Sequence, residues 1–173
     1  MKKEHKRRDF EKRNDIAGEY RWGDLGQLIL AMFFIIGMCL DVFFLKIQAG
    51  IFEMMPIYVQ LIIAIPLFII GIYLVRSGLN TVFGEKREKL EVIRSGVFSL
   101  VRHPVYLGSI LIFFSFVMLS SSIIALSIWI IIVLFYIYIS RYEENILMDK
   151  LGDDYMKYMH EVPMFIPKIV RRK

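Results

Sequence analysis

An all-α integral membrane protein with about four transmembrane helices is the fold class that three observations predict. The chain is 57% hydrophobic over 173 residues, too apolar for a water-soluble domain of that length. Four apolar runs stand out: Leu25–Leu45, Ile57–Val75, Val105–Leu119 and Ile123–Ile139. With four spans and both ends on one side, every one of the 22 Lys and Arg except Lys46 falls on that side. Basic residues are retained in the cytoplasm during insertion, so this asymmetry predicts cytoplasmic termini and explains the net charge of +5 without nucleic acid.

The segment 1–21 carries eight Lys or Arg mixed with acids. It reads as a cytoplasmic basic arm able to touch anionic membrane lipid. Its acids, and the length of the apolar run after it, argue against a cleaved signal peptide. Two helices are expected within 22–78. Asp41 falls near the end of the first, where an acid is ordinarily solvated, and Pro66 is expected to kink the second. The single cysteine, Cys39, lies in an apolar run. It excludes an internal disulfide and a cysteine-based zinc site, and reads as a small apolar residue.

Region 79–173 carries the chemistry. A polar connection, Arg76 to His103, is long enough to suggest a role beyond joining helices. Pro104 opens the third apolar run, where the N–H it lacks would have no helical partner. Arg102 and His103 therefore flank a helix N-terminus, whose free N–H groups favour an anion. Tyr106 and Gly108 lie in its first turn and a half, and Gly108 leaves room for another backbone or a flat ligand. Ser120, Ser121 and Ser122 predict a tight antiparallel hairpin into the fourth helix, which can continue past Arg141. Beyond it, Leu147, Leu151, Tyr155 and Met159 form a helical stripe. Gly152 interrupts the stripe, Asp153 is placed to cap a short second helix, and Pro163 ends it. The tail should be structured and cover the cytoplasmic face.

The hairpin brings Arg102–His103 beside Glu143–Glu144 at one depth. Such residues form interfacial ion pairs, or line a polar pocket with an anion site, a carboxylate pair and Tyr106. The segments R-H-P-V-Y-L-G, E-E-N-I-L-M-D-K-L-G-D-D-Y-M-K-Y and V-P-M-F-I-P together resemble the membrane isoprenylcysteine carboxyl methyltransferase family, whose general pattern phospholipid N-methyltransferases share. The resemblance spans about residues 78–168. It implies S-adenosyl-L-methionine as methyl donor and a lipid-like or amphiphilic acceptor. By the same resemblance His103, Pro104, Val105 and Tyr106 match the cofactor motif, with Arg102 beside it. Leu90 to Ile93 and Phe98 match the preceding cofactor segment, and Glu143 matches the cofactor-contacting glutamate, with Glu144 its neighbour. Phe98 replaces the Tyr common in relatives. Ile139 stands where prenylcysteine-specific relatives carry Arg; Arg141, two residues before Glu143, becomes the candidate substrate contact. No metal is required, and no catalytic acid or base is implied. The alternatives are methylation of a lipid amine and a non-catalytic membrane protein. The latter lacks charged residues at the bilayer midplane of the kind transport pathways use.

Overall fold

The computed structural model describes residues 23–47, 54–84 and 89–167; the basic arm 1–21 lies outside them. Every element described is helical: α1 (Gly23–Leu40), α2 (Ile57–Phe83), α3 (Pro104–Ser120), α4 (Ile123–Leu151) and α5 (Asp153–Glu161). A π-helical turn, Asp41–Leu45, extends α1, and a 3-10 turn, Gly96–Ser99, precedes α3. Three of these helices, α1 with its extension, α2 and α4, are long and apolar enough to cross a membrane. α3 has 17 residues, at the short end of what a bilayer requires. Pro104 sets its start. Ser121, in the left-handed conformation at φ 51°, sets its end.

α2 packs along α3, α3 against α4, and α4 against α1, while α1 and α2 make no extensive contact. The α2–α3 pair is close because glycines meet. A Cβ on Gly108 would lie 2.6 Å from the Gly71 carbonyl oxygen, and one on Gly71 would lie 2.7 Å from that of Gly108. Small residues that let backbones approach are a principal source of attraction between helices in lipid. The space that Gly108 leaves is thus taken by a backbone. Phe34, Val117, Ala125 and Ile132 form the buried centre where α1, α3 and α4 meet.

The end of the bundle away from the motifs is closed by polar contacts. Asp41 is not solvated as expected; it is 1% exposed. Its carboxylate accepts from the Ile47 N–H (2.7 Å), the Ile124 N–H (3.3 Å) and the Ser122 hydroxyl. Burial is tolerated because donors from the hairpin and from Ile47 satisfy it. Ser122 caps α4 by accepting from the Ala125 N–H at 3.0 Å. Gln60 Nε2 donates to the Met55 carbonyl and to Ser121 Oγ, which ties α2 to the same corner.

At the motif end, α2 runs eight residues past Val75, to Phe83. The polar residues after Val75 occupy one face only, while Val75, Leu79 and Val82 continue an apolar face inward. The connection to α3 is correspondingly shorter than expected. Pro66 lies within the continuous α2. Asp153 does not cap α5: it is the first helical residue, and Gly152, at φ 55°, holds the N-cap position without a side-chain bond. Asp153 instead adds negative charge to the first turn, where the helix dipole favours it. Leu147, Leu151 and Met159 pack with buried Tyr155, Tyr158 and Val162, so the tail stripe forms one small core.

Candidate functional site

The first turns of α1 and α3, the last turns of α2 and α4, the 90–98 segment and α5 surround one cavity of about 590 Å³. Small-molecule sites fall in the range of roughly 300–1,000 Å³. Of the residues singled out from sequence, Leu90, Ile93, Phe98, Arg102, His103, Pro104, Val105, Tyr106 and Glu143 all line it.

Two residues lie elsewhere. Glu144 is buried in the wall behind the cavity, where it organises the neighbours of Glu143. Arg141 is exposed and is not among the cavity-lining residues. Arg141 stands two residues before Glu143 on α4, a spacing that puts the two on different faces of the helix.

Glu144 Oε1 is the hub of the wall. It accepts from Arg102 Nε at 2.7 Å and from His103 Nε2 at 3.0 Å. A carboxylate can only accept, so the His103 proton sits on Nε2 and Nδ1 is left as an acceptor. Burial holds the His103 pKa below its ordinary value; Glu144 opposes the shift and the nearby Arg102 charge adds to it. His103 is therefore neutral near neutral pH. Its Nδ1 lies 3.6 Å from Glu143 Oε2. Glu143 Oε1 accepts from the Tyr106 hydroxyl at 2.5 Å. The Tyr106 ring stacks between His103 and Tyr136, with centroids 5.7 and 5.0 Å away.

The tail is bonded to this wall directly. Arg102 Nη1 donates to the carbonyl oxygens of Met159 and Val162, both at 2.8 Å. The Arg102 and His103 N–H groups donate to the carbonyls of Pro163 (2.9 Å) and Met164 (3.3 Å). Phe165 packs on the His103 ring, centroids 6.0 Å apart. The two prolines frame this run, and the extended backbone around Pro163 presents its carbonyls outward. The connection is pinned to α5 as well. Arg94 pairs with Glu161 at 2.9 Å, donates to the Asp154 carbonyl and lies over the Tyr158 ring. Tyr158 donates to the Phe98 carbonyl at 2.7 Å. Burial pushes the Tyr155 and Tyr158 hydroxyls above their usual pKa, so both remain neutral.

Sequence reasoning missed several lining residues. Asp24 and Gln27 reach the cavity from α1, Leu79, Val82 and Phe83 from the extension of α2, and Tyr158 from α5, while Leu147, Leu151 and Tyr155 of the tail stripe line it as well. Asp24, immediately before the first apolar run, carried a readable signal, because an acid in the first turn of a helix suits its dipole. Among the described residues the lining carries three carboxylates, Asp24, Glu91 and Glu143, and the guanidinium of Arg102, which is bonded to Glu144. The described part of the lining is thus mainly acidic in its charged groups. Its remaining walls, Leu79, Val82, Leu90, Ile93 and Val105, are apolar and suit a flat ring or an alkyl chain. Among the described residues no cluster of His, Cys, Asp and Glu is arranged to hold a metal ion.

A family model described as phospholipid methyltransferase matches residues 59–154, more than half of the chain. No curated protein gives a significant match.

Proposed function

Because the chain belongs to the phospholipid methyltransferase family, and so is an integral membrane methyltransferase, we propose that it moves a methyl group from S-adenosyl-L-methionine to an amine on a lipid-like acceptor. The acidic lining of the 590 Å³ cavity is the observation that carries this reading. The chemistry of the lining suits the donor. First-turn N–H groups of α3, at Val105 and Tyr106, offer partial positive charge to an amino-acid carboxylate. Glu143 suits a sulfonium, an ammonium or ribose hydroxyls. Leu79, Val82 and Ile93 suit the adenine ring. When bound, the donor supplies an activated methyl group open to in-line displacement.

The protein's part is alignment in a water-poor site. Glu144 fixes Arg102 and His103, and the tail fixes both from the other side. Tyr106 holds Glu143 by its donated hydrogen bond. Such positioning can lower a barrier by at most about 7–11 kcal/mol. The acceptor reaches the cavity sideways. α1 and α2 each contribute lining residues, Gln27 and Leu79 among them, yet the two helices do not pack along each other. The gap between them is where an alkyl chain passes from lipid to the site.

The isoprenylcysteine-type expectation, a carboxylate acceptor, has less support. A carboxylate would face Asp24 and Glu143. Among the described residues the cation in the lining is Arg102, committed to Glu144, Met159 and Val162, and Arg141 lies off the cavity. An ammonium acceptor is attracted by the same lining, though it must lose a proton before it attacks.

The charge asymmetry of the sequence supports a cytoplasmic site, with the arm and the tail on that side. Cysteine-accessibility labelling should then reach position 54 from outside and position 90 from inside. Labelled methyl from S-adenosyl-L-methionine, supplied to the protein in a lipid extract, should appear in an amine lipid identified by mass, at a rate that rises with pH through the amine pKa. Calorimetry should show Glu143→Gln binding the donor roughly 5- to 150-fold more weakly, as expected for a lost charge-assisted hydrogen bond of about 1–3 kcal/mol. A wild-type protein that binds no donor overturns the enzymatic reading; label found only in a carboxyl ester overturns the amine.

A further inference from the structure

α2 also presents a polar face away from the donor cavity. Tyr73, Arg76, Ser77, Asn80 and Thr81 recur at helical spacing and line a separate groove of about 560 Å³, closed on its far side by Ser95 and Gly96. Val75, Leu79 and Val82, on the opposite face of α2, line the donor cavity, so the helix divides the two spaces. Their electrostatics are opposite. Among the described residues the donor cavity carries three carboxylates, while the groove carries hydroxyls, an amide and one charged side chain, the guanidinium of Arg76, with no carboxylate. Among the described residues Arg76 has no hydrogen-bond or ion-pair partner.

The groove also sits at a defined height. Arg76 follows directly on the apolar run that ends at Val75, so it lies where lipid headgroups meet the hydrocarbon. Below it on the same face run Ile62, Ile65, Ile69 and Tyr73, between 51% and 69% exposed and spaced three or four residues apart. This is a continuous apolar track along α2 that leads up to the polar groove.

We propose that the groove binds the phosphate headgroup of an anionic membrane lipid, whose acyl chain lies along that track. A guanidinium presents a planar fork of N–H donors that matches phosphate oxygens. Ser77, Asn80 and Ser95 add neutral donors, and the Tyr73 ring lies at the level of the glycerol backbone, where aromatic side chains are favoured. The track selects a lipid over free phosphate, since only the lipid gains from the apolar contact. This site is distinct from the one that takes the methyl acceptor, and it stands whether or not the donor assignment does. Its position also links it to the donor cavity. Ser95 and Gly96 lead into the 3-10 turn that carries Phe98, so one short segment borders both spaces.

The full chain in neutral maltoside micelles can be titrated with phosphatidylglycerol, phosphatidylcholine and inorganic phosphate, with native mass spectrometry as readout. Saturable binding of phosphatidylglycerol is expected, with Arg76→Gln weakening it roughly tenfold or more, as loss of a charged hydrogen-bonding group implies. Asn80→Asp, which sets a carboxylate on the same face, should weaken it as strongly. Donor binding should be unchanged in both variants. If Arg76→Gln does not yield folded protein, Asn80→Asp decides alone. Equal affinity for phosphatidylcholine overturns the anionic assignment, and inorganic phosphate binding as tightly as the lipid overturns the lipid assignment. Phosphatidylglycerol affinity unchanged by the variants overturns the site itself.

Discussion

Oε1 of Glu144 and Nε2 of His103 are 3.0 Å apart, and Arg102 Nε meets the same oxygen at 2.7 Å. One buried carboxylate oxygen thus fixes both members of the Arg-His pair. Arg102 and Glu144 have side chains only 10% and 6% exposed. Removing one partner of such a pair leaves an uncompensated charge, at a cost of about 3–5 kcal/mol. Glu144→Gln should therefore lower the unfolding midpoint in detergent markedly more than Glu143→Gln, because Glu143 borders the cavity. Equal losses in the two variants would show that Glu144 is not the structural hub.

His103 makes the wall sensitive to acid. Its folded-state pKa is held below 6.5 by burial, against the pull of Glu144. Glu143, Arg102, Tyr106 and Phe165 are its other neighbours. In the unfolded chain it titrates near 6.5, so the unfolded state binds more protons between the two values. Stability is then fully present above about pH 6.5 and falls as the pH drops through that value toward the folded-state pKa. Unfolding midpoints measured from about pH 8 down to 5 should fall for the wild type below 6.5. The slope should be reduced in His103→Gln, and an identical pH profile in that variant contradicts the neutral, buried assignment.

The glycine contact between α2 and α3 sets the height of the helix that carries Pro104, Val105 and Tyr106. Gly108→Ala would place a Cβ 2.6 Å from the Gly71 carbonyl oxygen. The obstacle is backbone, so the helices must separate, and overpacking of this kind costs about 1–3 kcal/mol. Lower thermal stability is expected together with weaker donor binding, because the first turn of α3 moves. Ser115→Ala, also on α3 but distant from that turn, serves as the control that leaves donor binding alone.

Much of this arrangement was legible in the chain, for a physical reason. The apolar runs, Pro104 and the serine hairpin are local signals, and each fixes an element end without reference to the rest of the fold. The hairpin then brings Arg102 and His103 to Glu143 and Glu144 at one depth. Long-range packing decides what could not be read. Which of two adjacent glutamates faces the cavity depends on the rotation of α4. Whether Asp41 is solvated depends on how α1 meets a hairpin 81 residues away in sequence. The continuation of α2 to Phe83 was hidden because its polar face, Arg76, Ser77 and Asn80, reads as the start of a loop in any average over both faces. The family motif covered 78–168 and therefore said nothing of Asp24 and Gln27 on α1.

The tail completes the wall and is expected to be required for donor binding. Four of its carbonyls, on Met159, Val162, Pro163 and Met164, accept hydrogen bonds from Arg102 and His103. The charged ones among these bonds are worth about 1.5–3 kcal/mol each, and the backbone ones nearer 1. Deleting the chain from Gly152 onward removes all four, and with them Tyr155 and Tyr158 from the cavity lining. The four apolar helices are untouched, since their association depends on Gly71, Gly108 and the Asp41 corner. The truncated protein should still insert, which fractionation with carbonate-washed membranes checks, yet should bind no donor in calorimetry. A milder variant separates packing from mere presence. Phe165→Ala keeps the backbone bonds but removes the ring on His103, so it should weaken donor binding less than the deletion does. Full donor affinity in the deleted protein would reduce the tail to an appendage, and would place the entire donor site on the helices alone.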